Sequence, residues 1–295
     1  MALKEIVENG QETLNLQESG CYYEITPDES QKTLRNLWKE IERFQTCDIV
    51  YCFGEERHPV TAADCASFLT AQNGLPVQDE KGNFVLDEEA VAAYVQSLAE
   101  KYDGYGRTRQ FHSTRGDVIT IEGGTYGSKM DRKKETAYLL EHLLDPGAHT
   151  GIPQTHIPIY EREAFCYGKN DIGDTYIEVD MTEQKMYYYE KGVLKLETEI
   201  VTGNIRRRMG TPEGVNFVYN KQKNRVLRGP GYASFVKFWM PVKGGIGIHD
   251  AGWRKEFGGD IYQTAGSHGC INTPKDKMEE LFDCVQIGTP VVMFY

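Results

Sequence analysis

The sequence has no uninterrupted apolar stretch approaching the roughly 18 to 20 residues needed to span a bilayer, and its opening, Met1 to Gly20, is polar and acidic rather than signal-like. The chain therefore carries no anchor of its own; either it is cytoplasmic or an anchor has been removed ahead of it. Positive charge is also short. Lys and Arg number 33 against 44 Asp and Glu, a formal net charge of -11. That balance excludes a general nucleic-acid binder, because neutralising phosphates needs a surplus of cations on the binding face. The one basic run, Arg206-Arg207-Arg208, reads as a solvated loop sooner than as an anion site. Cysteines at metal-binding spacing are missing as well. Cys21, Cys47, Cys52, Cys65, Cys166, Cys270 and Cys284 make an odd set without a Cys-x-x-Cys pair, so neither a zinc site nor a disulfide framework is signalled.

What is present is an ordinary globular composition, 40% hydrophobic and 26% charged, in 295 residues, enough for two domains with cores of their own. Residues 1–25 read as a tail or linker. Leu34, Leu37, Trp38, Ile41 and Phe44 recur at helical spacing from Ser30 onward. A second helix is predicted after Thr61, and a third from the Asp87 cap through Val91, Val95 and Leu98 to a stop at Asp103-Gly104. Two extended runs, Thr108 to His112 and Asp117 to Glu122, and a helix from Asp131 to Leu144 complete an α+β domain over 26–148. Three prolines and two glycines between Pro146 and Pro158 suggest a hinge, and residues 149–170 are expected to be a linker. Beyond Thr175 the pattern alternates, as in Tyr176 to Asp180, Met186 to Tyr189, Lys195 to Val201 and Val291 to Tyr295, which predicts a mainly β domain, barrel-like or sandwich-like, over 171–295.

The densest chemistry is Ile248-His249-Asp250, seventeen residues from Asp250 to Gly266, then Ser267-His268-Gly269-Cys270-Ile271-Asn272. A thiol with imidazoles close by fits nucleophilic catalysis, in which a base takes the thiol proton. On chemistry alone either His249 or His268 could be that base. Thr273-Pro274-Lys275-Asp276 reads as a helix start with Thr273 as cap. Its positive end is expected near the sulfur, where it would lower the thiol pKa. The N–H groups of Gly269 and Cys270 are candidate oxyanion donors. A buried, inert cysteine is the bland alternative, but small, polar and imidazole neighbours are poor core fillers. A metal held by His249, His268 and Cys270 would lack the ligand pairs of known zinc sites, and neither a metal nor an organic cofactor is signalled.

These residues resemble the L,D-transpeptidases of the YkuD type, whose signature is a histidine followed by Ser-His-Gly-Cys. Val201-Thr202-Gly203, Thr211-Pro212-Glu213-Gly214 with Phe217, and Trp239-Met240-Pro241 are similar to further landmarks of that family, so the resemblance spans roughly Asp174 to Tyr295. Lys101-Tyr102-Asp103 and Gly123-Gly124-Thr125-Tyr126-Gly127 resemble the peptidoglycan-binding domain that precedes the catalytic domain in some members. The resemblance implies an acyltransferase in which Cys270 attacks the bond between the third stem residue and D-alanine. A thioester forms and passes to a side-chain amine of another stem. It implies that His249 is the base, that Ser267 orients it and that His268 supports the site. Many relatives carry arginine two residues after the nucleophile; here that position is Asn272, expected to fix its loop by bonding to backbone. Tyr232, Trp239 and Trp253 are candidates for the groove that admits the stem. The implied partners are donor and acceptor stem peptides. The implied setting is extracytoplasmic, at the cell wall, with membrane attachment only through an anchor absent from this chain, and sensitivity to carbapenems is also implied. Oligomeric state is not signalled. The rival readings are an L,D-carboxypeptidase or endopeptidase using water as acceptor, and a non-catalytic wall-binding protein.

Overall fold

The computed structural model describes residues 8, 15, 17, 28–229 and 231–295. The expected tail over residues 1–25, Cys21 included, otherwise lies outside the described residues.

In the first unit, helix α1 (Glu29–Phe44) starts at an Asp28–Gln31 capping box. Its apolar stripe reaches the core only at its C-terminal end. Phe44 is the buried residue of this helix, while Leu34 and Trp38 are exposed. Strands β1 (Ile49–Phe53) and β2 (Glu56–Pro59) form a hairpin, followed by α2 (Ala62–Ser67), whose capping box joins Thr61 and Asp64. Helix α3 (Glu88–Tyr102) begins at Asp87, whose carboxylate accepts from the N–H groups of Glu89 and Ala90. It buries Val91, Val95, Leu98 and Tyr102, residues at helical spacing. After the hairpin of β3 (Arg109–His112) and β4 (Val118–Ile121) comes α4 (Arg132–Leu144), capped by Asp131. Helices α3 and α4 enclose a core with Tyr51, Phe53 and Phe68.

The expected linker over 149–170 is corrected. Residues Gln154–His156 form β5, which pairs in parallel with Ile49–Tyr51 of β1, and Tyr160–Arg162 pairs with Lys129–Met130. Buried Glu135 of α4 accepts from His156 Nε2 at 2.8 Å and from the Ile159 N–H at 2.7 Å. Prolines here interrupt the ladder without freeing the segment.

The second unit is a two-sheet sandwich with a closing helix. The first sheet contains β6 (Tyr176–Asp180), β7 (Lys185–Glu190), β8 (Val193–Glu199), β9 (Gly214–Phe217) and the C-terminal strand Pro290–Phe294. The C-terminal strand lies between β6, to which it is parallel, and β9, to which it is antiparallel. The second sheet runs β10 (Gln222–Gly229), β11 (Tyr232–Lys243), β12 (Ile246–Asp250), β13 (Ile271–Thr273). Between the sheets lie Ile177, Val179, Met186, Phe238, Met240, Ile248 and Ile271. Helix α6 (Lys275–Cys284), which follows the short α5 (Ile261–Ala265), adds Met278, Leu281 and Phe282.

The C-terminal strand, β14, is a continuous apolar run because both its faces are covered. Val291 and Met293 face the sandwich, whereas Val292 and Phe294 join Phe111, Ile121 and Tyr126 of the first unit. Each such fully buried side chain contributes roughly 1.5–3 kcal/mol. Polar contacts extend the junction: Thr125 donates to Asn216 Oδ1, Thr114 to Glu178, and Arg115 pairs with Asp180. Buried Asp171 accepts Arg109 Nε at 2.9 Å and Nη2 at 2.6 Å. The two units thus share a core rather than meeting at a hinge.

Candidate active site

Three neighbouring strands assemble the site. The antiparallel β11–β12 register sets Trp239 opposite His249, and the parallel β12–β13 register sets His249 opposite Asn272. Opposed residues share a sheet face, as do residues two apart on one strand. Trp239, Gly247, His249 and Asn272 therefore stand on one face, while Met240, Ile248 and Ile271 fill the core behind them. Cys270 comes two residues before Asn272. A Cβ on Gly247 would meet the Trp239 ring at 2.7 Å and the Met240 carbonyl at 2.5 Å, so a bare backbone there lets the indole pack beside His249, ring centroids 5.8 Å apart.

A directed chain of hydrogen bonds fixes the imidazole. His249 Nδ1 lies 2.9 Å from the Asp250 carbonyl, which can only accept, so Nδ1 carries the proton in the neutral ring. Nε2 then accepts from Asn272 Nδ2 at 3.1 Å, and Asn272 Oδ1 accepts from Arg254 Nε at 2.7 Å. Burial pushes the His249 pKa down, opposed by the Asp250 carbonyl and carboxylate and assisted by the Arg254 charge. The ring is therefore neutral, with its basic lone pair on Nε2.

The Ser267–Cys270 loop is tied from two sides. The Ser267 hydroxyl accepts from the Gly269 N–H at 3.0 Å and donates to the Cys270 carbonyl at 2.5 Å. The Thr211 hydroxyl donates to the Gly269 carbonyl at 2.8 Å and accepts from the Gly203 N–H at 2.9 Å. Gly269 holds φ +116°, a conformation other residues rarely adopt. The Cys270 thiol lies 3.8 Å from the Gly245 carbonyl, and burial pushes its pKa up, with a Gly247 backbone hydrogen bond acting against that.

Several expectations need correction. Thr273 is the last residue of β13, not a helix cap; α6 begins at Lys275 after Pro274, and the Thr273 hydroxyl is buried without a partner. The strand separates the helix start from Cys270 by roughly 10 Å, so the helix dipole does not offset the burial of the thiol. Ser267 braces the loop that carries Cys270, and the orienting contact on His249 comes from Asp250. The Gly269 N–H is already bonded to Ser267, which leaves the Cys270 N–H as the candidate oxyanion donor of the pair. Asn272 bonds through its side chain to His249 and Arg254 rather than to backbone. Trp239 is 5% exposed and lies behind the imidazole, outside the cavity. Tyr232 opens β11, but its side chain lies outside the described residues.

Cys270, His249, Ser267, His268, Trp253 and Asn272 line one cavity of about 210 Å³. Trp253 is 53% exposed at its wall, and His268 is exposed. Leu227, Ser234 and Arg254 complete the lining with Gly266, and none of them stands out in the sequence as a site residue. Arg254 had a partial signal, being a cation between His249 and Cys270, but nothing in its spacing foretold that it folds beneath Asn272. Leu227 and Ser234 come from a hairpin whose reach over the site depends on tertiary packing.

Residues 174–293 match the family model of the L,D-transpeptidase catalytic domain (YkuD), and residues 68–147 match that of a peptidoglycan binding domain. A solved cysteine-to-serine mutant of the Enterococcus faecium L,D-transpeptidase is 36% identical over 88% of this chain and 100% of that chain, with a TM-score of 0.75. This chain belongs to the L,D-transpeptidase family. The avibactam carbamoyl enzyme of Ldtfm is similar to the same degree, 36% identical with a TM-score of 0.75 over 89% of this chain and 99% of that one. The NMR structure of the Enterococcus faecium catalytic domain acylated by ertapenem is 50% identical over 41% of this chain and 98% of that one, with a TM-score of 0.38. A comparison with curated proteins returned no match. The fold, helices and short strands followed by a mainly β catalytic domain, is that of the Enterococcus faecium enzyme. Among the described residues no helix is long and apolar enough to cross a membrane.

Proposed function

We propose that this L,D-transpeptidase cross-links peptidoglycan stems through Cys270, with His249 as base and then acid. The observation that carries the reading is that His249 is held neutral, with its proton on Nδ1 and its lone pair on Nε2, in the same cavity as the thiol. In the resting site Nε2 accepts from Asn272. Binding of the donor exchanges that bond for one from the Cys270 thiol.

The proton then moves to Nε2 as sulfur attacks the carbonyl carbon of the third stem residue. The S–C bond forms, the Cys270 N–H stabilises the oxyanion, and the C–N bond breaks as the departing D-alanine amine takes the proton from Nε2. A side-chain amine of a second stem attacks the thioester, His249 accepts its proton, and the thiol leaves protonated. Ser267 and Thr211 keep the Gly269–Cys270 backbone in position throughout, and Trp253 forms part of the groove.

The peptidoglycan-binding unit holds the polymer against the catalytic unit, which sets the work in the cell wall, outside the membrane. A relative that forms a carbamoyl enzyme with avibactam supports covalent capture of Cys270 by acylating inhibitors of that kind, and carbapenems are expected to acylate it as well. The test is product analysis with a tetrapeptide-stem muropeptide, run on the enzyme and on Cys270→Ala. Free D-alanine and a cross-linked dimer, both absent from the variant, are expected. Tripeptide without dimer would replace the acceptor amine with water, and untouched substrate would favour a binding role alone.

A further inference from the structure

Arg254 is half-buried in the wall of the cavity that holds Cys270 and His249, and among the described residues it has no counter-ion. Its Nε and Nη2 atoms donate to Asn272 Oδ1 at 2.7 Å and to the Ala265 carbonyl at 2.9 Å, both uncharged acceptors. Among the described residues it forms no ion pair, and burial alone accounts for the downward shift of its pKa. None of the ten residues lining the cavity is Asp or Glu, in a chain whose net charge is -11. A desolvated cation is costly to keep unpaired, so a site that retains one is suited to a ligand that brings the negative charge.

The surroundings reinforce this. The exposed turn Arg206-Arg207-Arg208 is pinned to the segment before the nucleophile, with the Asn204 N–H donating to the Ser267 carbonyl and the Arg206 N–H to Gln263. No ion pair holds these three arginines among the described residues. They add positive potential beside the catalytic loop.

We infer that the Arg254 guanidinium is the anion receptor of this cavity and selects donors whose leaving residue ends in a free α-carboxylate. The inference rests on the acyl-transfer reading above. When sulfur is bonded to the attacked carbonyl, the carboxylate of the departing residue lies only three bonds from that carbon. Asn272, the residue Arg254 touches, stands about 7 Å along the strand from Cys270. A guanidinium reaching past Asn272 is therefore within range of that carboxylate, and Nη1 is available to bind it.

The experiment compares acylation kcat/KM for a tetrapeptide stem with a free C-terminus and for the same peptide as its C-terminal amide. It uses the full chain and the variants Arg254→Gln and Arg254→Lys, with thermal unfolding to confirm that each is folded. The parent is expected to prefer the acid by about 10- to 100-fold, as for one charge-assisted contact. Arg254→Gln should bring that preference below about 3-fold, and Arg254→Lys should retain part of it. The ratio cancels any general loss from disturbing Asn272 or His249, because both substrates use the same base and nucleophile. If Arg254→Gln slows both substrates equally and keeps the parental ratio, Arg254 only positions Asn272 and the inference is overturned. Equal rates for acid and amide in the parent would also overturn it. If the parent is acylated by neither peptide, the acyl-transfer reading itself fails and takes this inference with it.

Discussion

The pH dependence of thiol reactivity should separate this site from one that stores a ready-made thiolate. Burial raises the Cys270 pKa and lowers that of His249. A raised thiol pKa keeps the proton on sulfur at neutral pH, and a lowered imidazole pKa keeps it off nitrogen, so both shifts favour the uncharged pair. An ordinary thiol near pKa 8.5 is only about 3% thiolate at pH 7, and a raised one is less. Alkylation of Cys270 by iodoacetamide, followed as modification of its own peptide by mass spectrometry, should therefore quicken about tenfold per pH unit between pH 6 and 8. Reading that peptide separates it from exposed Cys284. A rate already flat between pH 6 and 7.5 would mean a pre-formed thiolate–imidazolium pair instead of the uncharged one.

Asn272→Asp puts a carboxylate between Arg254 and His249. A neighbouring anion raises an imidazole pKa, so the acid limb of acylation should move up by about one pH unit; an unmoved limb in a folded variant would sever the link between Asn272 and the base. Asp171→Asn leaves Arg109 buried without its counter-ion at the junction of the two units, where the exposures of the pair are 4% and 2%. Removing one partner of such a pair costs about 3–5 kcal/mol. Urea unfolding should show that loss as one cooperative transition, because Phe111, Ile121, Val292 and Phe294 share a cluster. Two separated transitions would contradict the shared core.

Much of this was legible in the chain. Asp87 caps the helix that the sequence assigns to it, because a short acidic side chain ahead of an apolar period has a local job that tertiary context seldom changes, and Asp131, expected inside its helix, caps it for the same reason. The strands at Tyr176 and Lys185 follow their alternation, and the sandwich follows from them. The relations that failed depend on distant partners. Gln154–His156 was hidden among prolines, and its strand exists because β1 offers a parallel edge. Thr273 reads locally as a cap, yet pairing with Asp250 keeps it in the sheet. At the site, the motif named the thiol and the imidazoles but not their bonds. Ser267 turns to the loop it belongs to, Asp250 orients His249 through a carbonyl that every residue has, and Arg254 reaches Asn272 across eighteen positions of sequence. Backbone acceptors and returning loops leave no residue-type signal.

Acyl transfer is proposed to pass through Cys270. It is tested most directly by quenching the enzyme during turnover of a tetrapeptide stem, with acceptor withheld, and mapping any covalent adduct. A tripeptide-acyl thioester is expected on the peptide containing Cys270, formed together with one equivalent of D-alanine and discharged on adding an amine stem. D-alanine released without an adduct, or an adduct on another residue, would contradict it.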